Sequence, residues 1–207
     1  MRGLFFALYP SDVSLLLLAR ADIIHLRWTA NKKPMKKVTR RIHLKKISLR
    51  DEHDFLSAAR ASRALHEDWV EVPRTARAFR RYAAEMRTSA DIAFLVRRAD
   101  TGQLAGVIEL QDIYRGNFCN AYLIYYAFAG HNGQGLMTEA LQEVIQIAFS
   151  KLKLHRLEAN IQPANRASRR LAKACGFRKE GLSLRFLKKG GEWRDHERWA
   201  LLSTEAP

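Results

Sequence analysis

The chain has 207 residues, of which 47% are hydrophobic, and its 36 Lys and Arg outnumber 21 Asp and Glu to give a formal net charge of +15. This length and apolar fraction are sufficient for one compact core, and no stretch approaches the ~18 consecutive apolar residues of a membrane span. The two cysteines, Cys119 and Cys175, form neither a C-x-x-C pair nor a metal-ligand spacing, so the sequence indicates free buried thiols in a cytoplasmic protein and predicts no metal site.

The positive charge is spread along the chain. Residues 1–34 contain five Lys and Arg and two Asp, a net +3, so the remainder keeps +12 of the +15. An excess of this size attracts polyanions. It indicates either a partner with an acidic surface, such as a ribosome or RNA, or a generally basic proteome, and the charge alone does not separate these interpretations.

Residues 1–34 stand apart from the remainder of the sequence. They hold two short apolar runs that Pro10 and Asp12 separate, and no small-residue cleavage site follows a continuous apolar core, so they do not resemble a signal peptide. Met35 is a plausible first residue of the domain, because a short basic segment follows it and leads into a strand pattern. We interpret residues 1–34 as a disordered or loosely attached extension, or as a start codon assigned too far upstream, and residues 35–207 as the domain.

The spacing of apolar residues predicts both strands and helices in this domain. The predicted elements are a strand over 41–49, helices over 51–64 and 75–87, strands over 92–98 and 103–112, a central strand over 119–128, a helix over 137–152, a strand over 155–161, a helix over 166–175 and closing strands over 182–187 and 193–202. Gly102 and the pair Gly190-Gly191 are expected to turn the two hairpins. Because helices and strands do not alternate strictly, the predicted class is α+β, or mixed α/β, with a largely antiparallel sheet.

The most informative segment is 122–141, in which an apolar run leads through a glycine loop into an amphipathic helix. Glycines turn tightly without a Cβ in the way, and a helix N-terminus attracts anions through its free N–H groups and its dipole. The N–H groups expected to converge here are those of Gly133, Gly135, Leu136, Met137 and Thr138. The segment therefore predicts a pyrophosphate-binding loop, although a plain strand-to-helix turn would use the same glycines.

Two more motifs follow this loop. Asn165 and Ser168 stand just before and inside a short helix, which ends at Gly176-Phe177. Together with Asn132-Gly-Gln-Gly-Leu-Met137, these motifs resemble the GNAT superfamily of acetyl-CoA-dependent N-acetyltransferases, whose loop has the pattern Q/R-x-x-G-x-G/A. The first and last residues of that stretch depart from the pattern without removing a backbone donor. The resemblance implies the GNAT fold, a twisted sheet of about seven strands with helices on both faces, and acetyl-CoA as the cofactor.

Within the superfamily the chain is most similar to the RimJ/RimL-type protein N-terminal acetyltransferases, and to the RimJ type in particular. The similarity extends over roughly residues 38 to 202. The residues that carry it are Arg63-Ala-Leu65 with Trp69, Tyr114-Arg-Gly-Asn-Phe118, Tyr122-Leu123 with Tyr125, Gly135-Leu-Met137 and Gly191-Glu-Trp-Arg-Asp-His196. The last motif is the most specific of them. The resemblance implies a protein substrate and allows either a monomer or a homodimer.

The resemblance also implies where the coenzyme binds. In the superfamily the central strand parts from its neighbour before the loop, which leaves backbone N–H groups matching Tyr126-Ala127-Phe128 free. Ser168 matches the hydroxyl that assists thiolate departure in RimL-like enzymes, although a serine just inside a helix also often caps that helix. The implied coenzyme contacts are Tyr126, Ala127, Phe128, Asn132, Gly133, Gln134, Gly135, Leu136, Met137, Thr138, Asn165 and Ser168.

No side chain stands out as a general base. Tyr122 occupies the position on the central strand where many relatives have a carboxylate, which leaves Glu109 as the catalytic candidate and Glu67 near Trp69 as the other. The preferred interpretation of either glutamate is nevertheless a solvated surface carboxylate. An α-amine with a pKa of ~7.7–8.0 is partly neutral at cytosolic pH, whereas a lysine with a pKa of ~10.4 needs roughly 3–4 kcal/mol more help. The missing base therefore favours N-terminal amines.

The acceptor is expected to lie near two tryptophans. Trp69 and Trp193 are predicted to flank a narrow slot, with Glu67 and Tyr122 beside it, although large aromatic side chains usually serve the core. We therefore predict transfer of an acetyl group to the N-terminal amine of a protein, such as a ribosomal protein that begins with Ala or Ser. The alternatives are a small-molecule amine, such as an aminoglycoside, a polyamine or an aminoacyl compound, and a non-catalytic module that binds RNA or ribosomes.

Overall fold

The computed structural model describes residues 40–67 and 69–206, so the extension predicted over 1–34 lies outside the described residues. The strands are β1 (Ile42–Lys46), β2 (Ile92–Arg98), β3 (Leu104–Tyr114), β4 (Asn120–Ala127), β5 (Arg156–Ile161), β6 (Arg178–Lys189) and β7 (Glu192–Leu202). The α-helices are α1 (Glu52–Ala61), α2 (Arg63–His66), α3 (Ala76–Thr88), α4 (Leu136–Gln146) and α5 (Arg166–Ala174).

The seven strands form one sheet in the order β1-β2-β3-β4-β5-β7-β6. Each neighbouring pair is antiparallel except β4 and β5, which run parallel at the centre of the sheet. A parallel pair needs a crossover connection, and α4 supplies it. The α+β class, the strand number and the largely antiparallel sheet are therefore confirmed.

Helices cover both faces of the sheet. Because side chains alternate along a strand, β4 sends Phe128 and its i−2 neighbours to one face and Leu123 to the other. One buried cluster joins α1 and α3 to the first face through Phe55 and Phe79. A larger cluster joins α4 and α5 to the second face, and the apolar stripe predicted on the helix after the loop is part of it. The two cores therefore pack on both faces of β4, up to the glycine loop that follows this strand.

The predicted helix over 51–64 is interrupted at Ser62. Its hydroxyl donates to the carbonyl of Ala58 at 2.7 Å and accepts the N–H of Ala129 at 2.8 Å. A serine hydroxyl that bonds the backbone in this way competes with helix continuation. The chain therefore forms two helices, α1 and α2, at the point where it contacts the end of β4.

Three other predicted boundaries differ from the structure. β1 ends at Lys46, because the capping box of Ser48 and Asp51 opens a 3-10 turn where the strand was expected to continue. The helix expected to reach residue 152 is α-helical only to Gln146 and closes with a π-helical turn over Ile147–Lys151. β6 begins at Arg178, since its first residues pair with the end of β7.

Candidate active site

The site is built around an opening in the sheet. β4 and β5 pair only from Asn120 to Tyr122, opposite Arg156 to Glu158, and then separate. β4 continues to Ala127, and β5 continues to Ile161 with β7 as its partner. The edge of β4 after Tyr122 therefore faces an opening where β5 no longer pairs with it.

The N–H groups at the end of β4 differ in direction. Phe128 donates its N–H to the carbonyl of Ala105 at 2.8 Å, on the β3 side. Successive N–H groups of a strand point to opposite edges, so the N–H of Tyr126 also points to β3 and that of Ala127 points into the opening. The prediction of three free donors was therefore wrong for Tyr126 and Phe128, because the strand pairs with β3 to its end.

The glycine loop carries the chain from β4 to α4. Gly133 and Gly135 have φ angles of 76° and 75°, in the left-handed region that favours glycine. The first hydrogen bond of α4 runs from the N–H of Glu139 to the carbonyl of Gly135. Over residues 40–67 and 69–206, no backbone acceptor takes the N–H groups of the three residues before Glu139. Donors at a helix N-terminus suit a phosphate group.

Two arginines brace this loop, and the sequence did not indicate either. Arg41 at the start of the described chain donates from Nε to Glu139 at 2.9 Å and from Nη1 to the carbonyl of Gln134 at 3.1 Å. Arg98 at the end of β2 donates from Nη1 to the side-chain oxygen of Gln134 at 2.9 Å. Their separation of 93 and 36 residues from Gln134 explains why no local pattern revealed them.

Met137, which departs from the family pattern, has a large side chain that packs against a glycine of the sheet. Its side chain packs over Gly106 of β3, where a Cβ would lie 2.4 Å from the methionine sulfur. Glycine on the strand therefore makes room for methionine on the helix, and the two elements approach closely beneath the loop.

Ser168 lies on the first turn of α5, beyond the opening. The helix is capped by Asn165, whose side-chain oxygen accepts the N–H of Ser168 at 3.1 Å, so the capping role considered for Ser168 belongs to Asn165. Tyr125 of β4 donates its hydroxyl to the carbonyl of Ser168 at 3.0 Å and ties α5 to β4. The hydroxyl of Ser168 has no hydrogen-bond partner within the described ranges 40–67 and 69–206.

Glu109 is buried, with 5% of its surface exposed, so its interpretation as a solvated surface carboxylate was wrong. β3 places it under α3, where the hydroxyl of Tyr82 and the amide of Gln111 each donate to it at 2.6 Å. Burial raises the pKa of Glu109. Tyr82 also contacts Tyr126, so these side chains link Glu109 to the end of β4.

A cavity of about 660 Å³ lies between the segment after α2, the end of β5 and the β6–β7 hairpin. Glu67 and Trp69, two of the predicted acceptor residues, line it, and Glu67 forms an ion pair with Arg63. Trp193 does not line it and is exposed, because neighbouring residues of a strand face opposite ways and Arg194 points to the cavity. The full lining is Glu67, Trp69, Val70, Glu71, Val72, Arg74, Gln162, Ala164, Lys189, Gly190 and Arg194.

The predicted acceptor residues therefore do not lie together in the structure. Trp69 and Trp193 do not form one slot, since the hairpin turns Trp193 away from the cavity. Tyr122 is half-buried on β4, opposite Glu158 where the strands separate. The cavity contains two carboxylates and three cationic side chains, so its lining is net positive.

Cys175 is buried, and burial raises the pKa of its thiol to about 11, so the thiolate is scarce at neutral pH. Within residues 40–67 and 69–206, no three His, Cys, Asp or Glu side chains are arranged to hold a metal ion. The same residues include no helix that is both long and apolar enough to cross a membrane.

The described site consists of a parallel strand pair that opens onto a glycine loop and a helix N-terminus. The acetyltransferase (GNAT) domain model matches residues 41–178, and the chain belongs to this family. It is 33% identical over 155 residues to the probable N-acetyltransferase YjcK of Bacillus subtilis, a match that covers 75% of this chain and 84% of YjcK.

Two other comparisons relate the chain to RimJ-type enzymes. It is 36% identical over 106 residues to the Escherichia coli [ribosomal protein uS5]-alanine N-acetyltransferase, covering 51% of this chain and 55% of that relative. The structure of Mycobacterium smegmatis RimJ in complex with CoA-disulfide superposes with a TM-score of 0.74 at 26% identity, covering 80% of this chain and 84% of that one. The chain is therefore an N-acetyltransferase with RimJ-like relatives.

Proposed function

We propose that this protein is a cytoplasmic, acetyl-CoA-dependent acetyltransferase that acts on the N-terminal α-amine of another protein, such as a ribosomal protein beginning with Ala or Ser. The observation that carries the proposal is the opening beside β4, where the N–H of Ala127 faces inward and the glycine loop continues the same edge. The relative named [ribosomal protein uS5]-alanine N-acetyltransferase supports the choice of acceptor.

The residues present fit the coenzyme. The unpaired N–H groups at the start of α4 and the left-handed glycines form a cradle for a pyrophosphate, with Arg41 and Arg98 close by. Asn132, Gly133, Gln134 and Thr138 would complete this contact, with Asn165 and Ser168 across the opening. Acetyl-CoA, the donor typical of this family, supplies the acetyl group as an activated thioester.

Two side chains are proposed to handle protons. Ser168 holds a hydroxyl proton at Oγ on the far side of the opening, where it can be given to a leaving sulfur. Glu109 receives the proton of the acceptor amine through the hydroxyls of Tyr126 and Tyr82, because it is buried and its raised pKa makes it a stronger base than an exposed carboxylate.

The cavity charges favour a protein N-terminus over a polyamine. Glu67 and Glu71 provide a negative end for one ammonium group, while Arg74, Lys189 and Arg194 make the lining net positive. A polyamine carries several positive charges and would meet repulsion there, whereas a peptide carries one charge followed by neutral carbonyl groups that cations can bind.

Peptide and polyamine acceptors can be compared directly. We expect an Ala-starting hexapeptide to be acetylated at its α-amine, and an N-terminally blocked peptide with an internal lysine or a free polyamine to be acetylated at least tenfold more slowly. Trp69→Phe should raise the KM for the peptide several-fold, because Trp69 lines the cavity, while Trp193→Phe should leave it unchanged. Mass spectrometry of the products gives the site, and faster acetylation of the polyamine would move the protein to small-molecule acceptors.

A second contact with RNA or a ribosome is supported by a separate surface. Tyr114 and Phe118 are exposed beyond the start of β4, with ring centroids 6.3 Å apart. Arg115, Lys151 and Lys153 are exposed on this loop and the adjacent one. Aromatic side chains flanked by cations are typical of single-stranded nucleic acid binding, since bases stack on them and phosphates pair with the cations.

This surface can be tested with a short uridine oligonucleotide. The double variant Tyr114→Ala, Phe118→Ala is expected to weaken binding about tenfold or more in fluorescence anisotropy, given ~1–3 kcal/mol per stacked base. The double variant Leu182→Ala, Leu184→Ala removes exposed apolar side chains from β6 and should not change the affinity. Equal losses in both variants, or no binding by the unchanged protein, would contradict an RNA contact at this loop.

A further inference from the structure

His66 is a buried histidine at the end of α2, with 2% of its surface exposed. Its Nε2 lies 2.8 Å from the carbonyl oxygen of Ala127, and its ring contacts Tyr126 and Phe128 edge-on. A carbonyl only accepts, so Nε2 carries the proton and donates. Burial lowers the pKa of His66, which favours the neutral ring that this arrangement needs.

The other ring nitrogen of His66, Nδ1, is buried and lacks a hydrogen-bond partner among the described residues, 40–67 and 69–206. A buried acceptor without a donor destabilises the fold, whereas an apolar side chain of similar size would fill this space between two aromatic rings without that penalty. Packing alone therefore does not account for a histidine here, and the bond from Nε2 to Ala127 is the feature that distinguishes it.

That bond acts on the backbone group proposed to face the coenzyme. The N–H and C=O of one strand residue point to the same edge, so the carbonyl that His66 holds lies beside the Ala127 N–H in the opening. Two residues further on, Ala129 donates its N–H to Ser62 at 2.8 Å. Ser62, which precedes α2, and His66, its last residue, thus hold the chain at Ala127 and Ala129, at the end of the part of β4 that β5 no longer pairs with.

We propose that His66 is a positioning residue for acetyl transfer, which fixes the end of β4 so that the Ala127 N–H stays directed into the opening. The inference rests on the proposed function. Glu67 and Trp69, which line the acceptor cavity, follow His66 directly in the chain. The same short segment therefore links the acceptor cavity to the coenzyme edge of β4.

Substitution of His66 by methionine or by glutamine distinguishes the effect of its hydrogen bond from the effect of its side-chain volume. Both replacement side chains have similar length, and only glutamine donates a hydrogen bond. His66→Met is expected to bind coenzyme A three- to tenfold more weakly in calorimetry, the effect of about one lost hydrogen bond, and to lower kcat by at least that factor. Amide exchange in peptides covering 123–130 should become faster in this variant. His66→Gln should restore the affinity and the slow exchange.

The control is His53→Met, since the His53 side chain is 96% exposed on α1. It should change neither affinity nor exchange. If His66→Met and His66→Gln bind coenzyme A equally and exchange at the same rate, His66 has no positioning role, whatever their melting temperatures. If the unchanged protein does not bind coenzyme A, the proposed function fails instead.

Discussion

Replacing Gly135 with valine is expected to lower the affinity for coenzyme A at least a hundredfold in a protein that still folds. Gly135 has a φ of 75°, and an added Cβ would lie 3.3 Å from Nη2 of Arg41. A β-branched side chain there strains the loop and stands over the N–H groups of the first turn of α4. Losing two or more charge-assisted hydrogen bonds of ~1.5–3 kcal/mol each gives this factor. Calorimetry with coenzyme A measures it.

Gly102 provides a matched control for the strain. It has a φ of 70° in the β2–β3 turn, and no atom lies within 4 Å of its added Cβ. Gly102→Val should therefore cost a similar amount of stability, about 1–2 kcal/mol, and leave coenzyme affinity unchanged. Unchanged affinity in a folded Gly135→Val protein would place the coenzyme elsewhere.

Replacing Ser168 with alanine is expected to lower kcat about a hundredfold, the lower end of the range for a lost general acid, while coenzyme affinity falls far less and stability is unchanged. The cap of α5 stays intact, because Asn165 provides it. Asn165→Ala is the contrasting variant, which should destabilise the protein by about 1 kcal/mol through the lost cap. Steady-state kinetics and thermal melts distinguish the two, and a Ser168→Ala protein with normal kcat would remove Ser168 from the chemistry.

The partner of that experiment is Glu109→Gln, which should lower kcat by a similar factor and also change how stability depends on pH. A raised carboxyl pKa means that the folded state binds the proton more tightly than the unfolded state does. Proton binding by Glu109 therefore stabilises the fold fully below the unfolded pKa. This stabilisation is lost as pH rises through the folded pKa. Relative to the glutamine variant, the unchanged protein should lose stability as pH rises above about 4.3, the ordinary pKa of a glutamate side chain. A constant difference would show that Glu109 is not shifted.

How much the sequence could predict depends on how local each feature is. The loop from β4 to α4 is contiguous, and its left-handed glycines are where the pattern placed them. The N–H of Phe128 was assigned wrongly because its direction depends on pairing with Ala105, a residue on another strand. Trp193 was placed in the cavity because the hairpin motif identifies the strand but not which face each side chain takes.

Burial was the other property that the sequence did not reveal. From the sequence of β3 alone, Glu109 resembles a surface residue. It is buried because α3 packs over it and places Tyr82 against its carboxylate. His66 was overlooked for the same reason, since its partner Ala127 is 61 residues away. Side chains that gain their role from a distant contact give no local pattern to detect.

The proposed coenzyme cradle and the proposed acceptor cavity are assembled from the chain in different ways. Residues 127–138 form most of the cradle as one uninterrupted stretch, whereas the cavity combines three segments, 67–74, 162–164 and 189–194. An exchange in any one cavity segment leaves the sequence of the other two segments and of the cradle unchanged. Related proteins with this architecture can therefore differ in the acceptor they prefer. The stretch proposed to bind the acetyl donor need not change with it.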